Sequence, residues 1–351
     1  MNLAVDSIPE NSAAGSVLTV RNLGVRYETR QGMVHAVSEV SFDIREDEVF
    51  GIAGESGCGK STLIKALLRL LPDNAESSAD TAVYRGQDLF SMPEEKFRRD
   101  ILWQEISLVP QSAMNSLNPV YRVGDQVVEA IRAHRSTSNA EAKERVAELF
   151  DVVGLQADLM RSFPHEFSGG MRQRAMIAMS LALDPGLIVM DEPTTGLDVL
   201  VQERILRRIR EIRSEISSSI ILITHDIAVI AEMSDRIAIM YGGQLMEQAS
   251  AIDLFESPHH PDTLGLKNAF PSIQSLGMEL ISIPGSPPTL VGPVKSCPFA
   301  PRCPFRIERC EQESPAPETI APDHDVRCFR HGEAERLRPL AAEKATWRCS
   351  S

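Results

Sequence analysis

The sequence has no apolar run near the roughly 18 residues that a membrane-spanning helix requires. Its longest apolar stretches, such as residues 175–179 and 220–223, end quickly at polar residues. Near the N-terminus stand Asp6 and Glu10, where a secretory signal would carry basic residues. The expected place is therefore the cytosol, with any membrane contact made through partner proteins. Basic residues are outnumbered: 36 Lys plus Arg stand against 49 Asp plus Glu, a net charge of −13. General binding to DNA or RNA needs a basic face, so no nucleic-acid partner is expected. There is no internal repeat.

What is present is a globular composition, 43% apolar and 24% charged over 351 residues. That length suits roughly two or three domains. Residues 1–16 are small and polar and are expected to be disordered. Residues 17–25 and 40–44 read as strands, and residues 49–53 as a short buried strand. Residues 60–71 repeat apolar side chains at helical spacing and stop at Pro72. Residues 72–79 read as a polar surface loop. Helical patterns fill about 112–167, with Val127, Val128 and Ile131, then Val146, Leu149 and Phe150. Buried strands return at 187–190 and 220–223. A long amphipathic helix over 199–216 aligns Ile205, Ile209, Ile212 and Ile216. From about 257 prolines become frequent, which predicts a small, loop-rich appendage.

Gly54-Glu55-Ser56-Gly57-Cys58-Gly59-Lys60-Ser61 fits G-x-x-x-x-G-K-S/T, between a predicted strand and a predicted helix. The glycines let backbone N–H groups converge on phosphates, and the helix N-terminus adds a positive dipole end. Lys60 would reach the β- and γ-phosphates, and the Ser61 hydroxyl would ligate Mg²⁺. Cys58 reads as a small residue in the loop. The apolar strand over 187–190 ends in Asp191 and Glu192. Asp191 suits the Mg²⁺ shell and Glu192 a general base for water. Ser168-Gly169-Gly170-Met171-Arg172-Gln173 precedes a helix. It could bind a second phosphate face or simply cap the helix. His225 closes the strand over 220–223, where a lone histidine is more often a hydrogen-bonder than a catalyst. Gln111 follows residues 106–110 and could contact Mg²⁺ or water.

Six cysteines are present, and Cys297, Cys303, Cys310 and Cys328 cluster. In a reducing compartment they read as metal ligands before disulfides. They lack the tight pair, separated by about two to four residues, of structural zinc sites. Their wider spacing suits a 4Fe–4S cluster; Zn²⁺, or unmetallated thiols in a small core, are the alternatives. His259, His260 and His324 could also serve as ligands, though no spacing favours them. Cys349 reads as free.

These pieces, in this order over residues 17–250, resemble the ATP-binding-cassette (ABC) ATPases. The resemblance rests on the phosphate loop, Gln111, residues 168–173, Asp191-Glu192, Thr195-Gly196-Leu197-Asp198 and His225. It implies an α/β fold: a P-loop NTPase, RecA-like core, an antiparallel β-subdomain and an inserted α-helical subdomain. It implies ATP and Mg²⁺, with Gly54, Glu55, Ser56, Gly57, Cys58, Gly59, Lys60, Ser61 and Thr62 around the phosphates and Tyr27 stacked on adenine. Ser61, Gln111 and Asp191 would hold Mg²⁺, and Glu192, His225 and Lys60 would be catalytic. In this family two nucleotide domains pack head to tail. Ser168, with Gly169, Gly170 and Gln173 of the same segment, would then meet ATP bound to a second ATPase subunit, and Asp198 would also contact nucleotide.

Asn115-Ser116-Leu117-Asn118-Pro119, His260-Pro261 with Thr263, Ile283-Pro284-Gly285 and the cysteine-bearing tail sharpen the resemblance. They look like the dipeptide/oligopeptide/nickel importer ATPases, although Asp262 stands where that group usually has Tyr. This implies a nucleotide-binding domain over 17–256 and a C-terminal importer-type domain over 257–351, whose cysteines are associated with a 4Fe–4S cluster. It implies an importer subunit at the cytoplasmic face of the inner membrane. Two transmembrane permease subunits, a paralogous ATPase and an extracytoplasmic solute-binding protein would complete the assembly. Peptides are the expected solute, with nickel, oligosaccharide or opine-like solutes as variants. A soluble ABC ATPase acting on nucleic acid or ribosomes, and an exporter, are the competing readings.

Overall fold

Alternating apolar residues start the chain as a hairpin. Ser16–Thr29 (β1) turns inward Leu18, Val20, Leu23 and Val25, and Gly32–Arg45 (β2) turns inward Val40, Phe42 and Ile44. The computed structural model describes residues 15–111, 116–215, 218–269 and 281–348. The disorder expected over 1–16 thus falls largely outside the described residues, and β1 already begins at Ser16.

Val49–Ala53 (β3) is buried at all five positions and leads into the phosphate loop and the helix Lys60–Leu67. Ala75–Ser78 (β4), Thr81–Tyr84 (β5) and Gln87–Asp88 (β6) complete an antiparallel sheet in the order β2-β1-β5-β6, with β4 on β1. The loop expected over 72–79 is therefore partly a strand. Glu76, Ser77 and Ser78 stay exposed, so backbone pairing with Gly24–Tyr27 of β1 defines β4 without any apolar alternation.

A second sheet is built from Ile106–Val109 (β7), Leu187–Asp191 (β8), Ser219–Ile223 (β9), Arg236–Tyr241 (β10) and Gln244–Ser250 (β11). With β3 and two late strands, Glu318–Ala321 (β12) and His324–Val326 (β13), its order is β12-β13-β11-β10-β3-β9-β8-β7. The run β10-β3-β9-β8-β7 is parallel. Both faces of these strands are covered, which is why they read as unbroken apolar runs.

The helical pattern expected over 112–167 is realised in Val123–His134 and Asn139–Val152. The second helix opens with a capping box between Ser138 and Glu141. Val127, Val146, Leu149 and Phe150 share one apolar cluster with Met190 and Leu222 of the sheet. Residues 112–115, and so Asn115, lie outside the described residues. The helix Val199–Glu215 buries Ile205 and Ile209; the Ile212 side chain and Ile216 also lie outside them.

The C-terminal region is no detached appendage. β13 pairs with β11 through Glu247 and Val326, so the tail extends the main sheet. Tyr241 and Met246 of that sheet pack with Phe299, Phe305, Leu337 and Trp347 in one cluster. Short polar strands between prolines leave little period-2 signal, which is why β12 and β13 escape a reading of the sequence. Cys349 lies outside the described residues. Among the described residues no helix is long and apolar enough to cross a membrane.

Candidate active site

Four loops leave the carboxyl ends of the parallel strands β3, β7, β8 and β9 and converge there. This is where open α/β sheets bind ligands. The loop after β3 is residues 54–59. Gly54 and Gly59 have φ of 151° and 113°. A Cβ at Gly54 would stand 2.1 Å from the Met240 carbonyl oxygen, and one at Gly59 2.4 Å from that of Ala36. Only glycine fits either position. Lys60 is buried, and its Nζ donates to the carbonyls of Gly54 at 2.7 Å and Glu55 at 3.0 Å. Burial pushes up the Cys58 thiol pKa, consistent with a packing residue. A cleft of about 420 Å³ opens beside the loop, lined by Gly54, Glu55, Ser56 and His225 together with Leu266 and Pro287.

The loop after β8 supplies two carboxylates with different surroundings. Asp191 is buried, which raises its pKa, and it accepts from the Ser61 hydroxyl at 3.1 Å. Glu192 follows with φ 48°, a left-handed conformation rare outside glycine and typical of functional sites. Its Oε2 accepts from Gln111 Nε2 at 2.7 Å and from the Thr195 hydroxyl at 2.8 Å. Its Oε1 lies 3.4 Å from His225 Nδ1. Burial would raise the Glu192 pKa, but hydrogen bonds with Thr195, His225 and Gln111 outweigh it and hold the carboxyl below its ordinary value.

The structure thus brings together Lys60, Ser61, Asp191, Glu192, Gln111 and His225. Tyr27 is half-buried on β1, with its hydroxyl 3.4 Å from Thr62 Oγ1. The 168–173 segment is engaged with its own surroundings. Ser168 caps the helix Gly169–Ser180 by accepting from the Met171 N–H at 3.3 Å. Gly170 is buried against Val201. Gln173, expected at a phosphate, is only 4% exposed, and its Nε2 has no hydrogen-bond partner among the described residues. Asp198 accepts from the Val201 N–H at 3.0 Å.

The sequence reading missed two partners. Thr195 was seen only as part of a loop motif. Arg302 grips Glu55 of the phosphate loop, and no local pattern announces that contact.

A family model described as "ABC transporter" matches residues 37–195. A second, "Oligopeptide/dipeptide transporter, C-terminal region", matches 246–310. The oligopeptide transport ATP-binding protein OppD of Salmonella typhimurium is 41% identical, over 94% of this chain and 98% of its own. The dipeptide transport ATP-binding protein DppD of Bacillus subtilis is 40% identical, over 89% and 94%. The chain belongs to the oligopeptide/dipeptide branch of the ABC transporter ATPases. Solved structures agree on the cassette fold. CbiO1 from Clostridium perfringens, part of the ABC transporter complex CbiONQ, superposes with a TM-score of 0.59 at 26% identity, covering 69% of this chain and 92% of that one. The ATP-binding cassette MJ0796 bound to ADP and Pi gives 0.58 at 25%, covering 67% and 98%.

In this ABC ATPase the four clustered cysteines meet. Cys297, Cys303, Cys310 and Cys328 line one small cavity with Phe299, Phe305 and His260. Backbone N–H groups two residues on approach three of the sulfurs: Phe299 to Cys297, Phe305 to Cys303 and Arg330 to Cys328. Burial pushes the Cys297 thiol up to about 11 and Cys328 up to about 12, and raises Cys303 as well. Yet among the described residues no group of three or more His, Cys, Asp or Glu could hold a metal ion. Neither the zinc alternative nor a 4Fe–4S cluster finds a preformed ligand group among the described residues. The three histidines are structural. His324 Nε2 lies 2.8 Å from Glu247 Oε1, and the backbone N–H groups of His259 and His260 donate to the same carboxylate.

Asp262 lies nearby, 1% exposed, with Oδ1 unpartnered among the described residues. Burial first, and then the charge of Glu55, push its pKa up from 3.8 to about 7. The folded chain keeps a proton that the unfolded chain releases, so its contribution to stability is full below about pH 4 and is lost as pH rises through about 7. Asp262→Asn is expected to raise the melting temperature by a few degrees at about pH 8 and to leave it unchanged near pH 4. Thermal unfolding at the two pH values checks this; equal shifts at both would refute it.

Proposed function

We propose that the chain hydrolyses ATP to drive peptide uptake, as one of two ATPase subunits on the cytoplasmic face of an inner-membrane importer. The observation that carries this is Glu192, held by Gln111, Thr195 and His225 beside the Ser61–Asp191 pair and Lys60. The printed names of the relatives support peptides as the solute. Two permease subunits and an extracytoplasmic binding protein complete the assembly in this reading, and the partner ATPase is a paralogue. The 351 residues carry one phosphate loop, and the exposed Ser168 supports a two-subunit arrangement as the segment that would meet a second one. The proposed division is a nucleotide-binding domain over 17–256 and a C-terminal domain over 257–351.

In the mechanism, Lys60 exchanges its two loop carbonyls for phosphate oxygens. Ser61 and Asp191 offer hard oxygen donors that fit Mg²⁺, with Gln111 beside them. Mg²⁺ would supply charge compensation at the phosphates. Glu192, ionised and aimed by three neighbours, orients and deprotonates the attacking water, and His225 holds that geometry at the γ-phosphate. Tyr27 stacks on adenine. Ser168, Gly169 and Gly170, with Asp198, face ATP held by the partner.

The four cysteines would hold a 4Fe–4S cluster in a structural or redox role. Their common cavity and the three N–H groups aimed at sulfur support this, because such donors favour thiolates.

The test is ATP turnover and peptide uptake by the assembled transporter in proteoliposomes, with iron and sulfide measured on anaerobic protein. Peptide-dependent turnover is expected, with about four irons per chain. Turnover indifferent to peptide would refute the solute, and iron-free protein the cluster.

A further inference from the structure

The geometry points to Arg302 as a positioning residue for the phosphate loop, acting through Glu55. This rests on the reading that residues 54–61 hold the phosphates of ATP. Arg302 and Glu55 are 247 residues apart in sequence, yet they form a two-armed pair. Nη1 donates to Glu55 Oε2 at 2.7 Å and Nη2 to Oε1 at 2.8 Å. The remaining donors are also taken. Nε reaches the Pro284 carbonyl at 2.8 Å, Nη1 the Tyr241 hydroxyl at 3.1 Å, and Nη2 the Ile283 carbonyl at 3.3 Å. A guanidinium has five N–H donors, so none is left to swing elsewhere. The side chain is 6% exposed and lies over the Tyr241 ring. It is a fixed point on the C-terminal region.

Glu55 is the first residue after Gly54, in the loop where anionic phosphates arrive. Unpaired, its carboxylate would repel them and could turn into the cleft that it lines. Paired, it is neutralised and held by both arms of the guanidinium. The same residue is held a second time, because its carbonyl accepts from Lys60. Arg302 and Lys60 therefore grip one residue of the loop by its side chain and its backbone. Lys60 leaves its carbonyl to bind phosphate, and Arg302 is then what keeps Glu55 in place. The ATP site is completed by the C-terminal region.

The test is a double-mutant cycle on the full chain, reading MgATP affinity by calorimetry. Arg302→Gln is expected to weaken MgATP binding roughly tenfold. Glu55→Gln, which removes the repelling charge along with the clamp, should cost no more than about threefold. The double variant should bind like Glu55→Gln alone. That rescue is a result that a purely structural role for Arg302 would not produce. Unchanged affinity in Arg302→Gln, or an undiminished loss in the double variant, overturns the inference. Should Arg302→Gln fail to fold, Arg302→Lys with and without Glu55→Gln makes the same comparison, since lysine keeps the charge but cannot form the fork. Lys60→Ala measured alongside separates the two levels. A loss there without one in Arg302→Gln defeats only the role of Arg302, and no loss there defeats the phosphate-loop reading.

Discussion

Glu192→Gln is expected to bind ATP with unchanged affinity and to lose turnover by about 10³-fold. The substitution keeps the shape of the side chain. One amide oxygen can still accept from Gln111 and Thr195, which converge on Oε2 at 2.7 and 2.8 Å. The amide nitrogen can face His225 Nδ1, where Oε1 stood at 3.4 Å. What disappears is the basic oxygen pair that takes a proton from water. Its polar partners, Gln111, Thr195 and His225, lie outside the phosphate loop, so binding is spared. Nucleotide affinity and single-turnover hydrolysis, measured together in the assembled transporter, check both halves. Normal turnover would refute Glu192 as the base.

Lys60→Ala acts at the opposite end of the site and should weaken MgATP binding about 100-fold. The ammonium is buried among the loop's own carbonyls, where its charge is poorly screened and can be handed to phosphates. The variant also leaves the Gly54 and Glu55 carbonyls without that donor, so the loop should lose order before ATP arrives. Affinity by calorimetry, beside a melting curve showing an intact fold, is the measurement. Wild-type affinity would mean that some other cation carries the phosphates.

These residues were legible because the chemistry is local. Residues 54–61 are consecutive, and their glycines sit where backbone geometry forbids a side chain. Gln111, Glu192 and His225 could be placed together because each ends an apolar run, and parallel strands bring such ends to one edge. What stayed hidden has no local pattern. β4 is a polar strand defined only by its partner. Thr195 was visible as a motif member, but not as the hydroxyl that aims Glu192. The Glu55–Arg302 pair joins distant segments through side chains that are ordinary on any surface. The cysteines are a different case: their spacing suggested a metal, and among the described residues no single-ion ligand set is formed.

The seat of β13 on β11 bears on how far this cassette can be shortened. Ending the chain near residue 256 would remove β13 from β11, where Glu247 and Gln248 now lie opposite Val326 and Asp325 and the Met246 carbonyl accepts from the Arg327 N–H. An open strand edge is a template for another chain. The cut would also strip Glu247 of His259, His260 and His324, stranding a carboxylate that is now fully enclosed. Tyr241 and Met246 would meet water. A truncated cassette is therefore expected to self-associate, because it loses the strands that now cover the β11 edge.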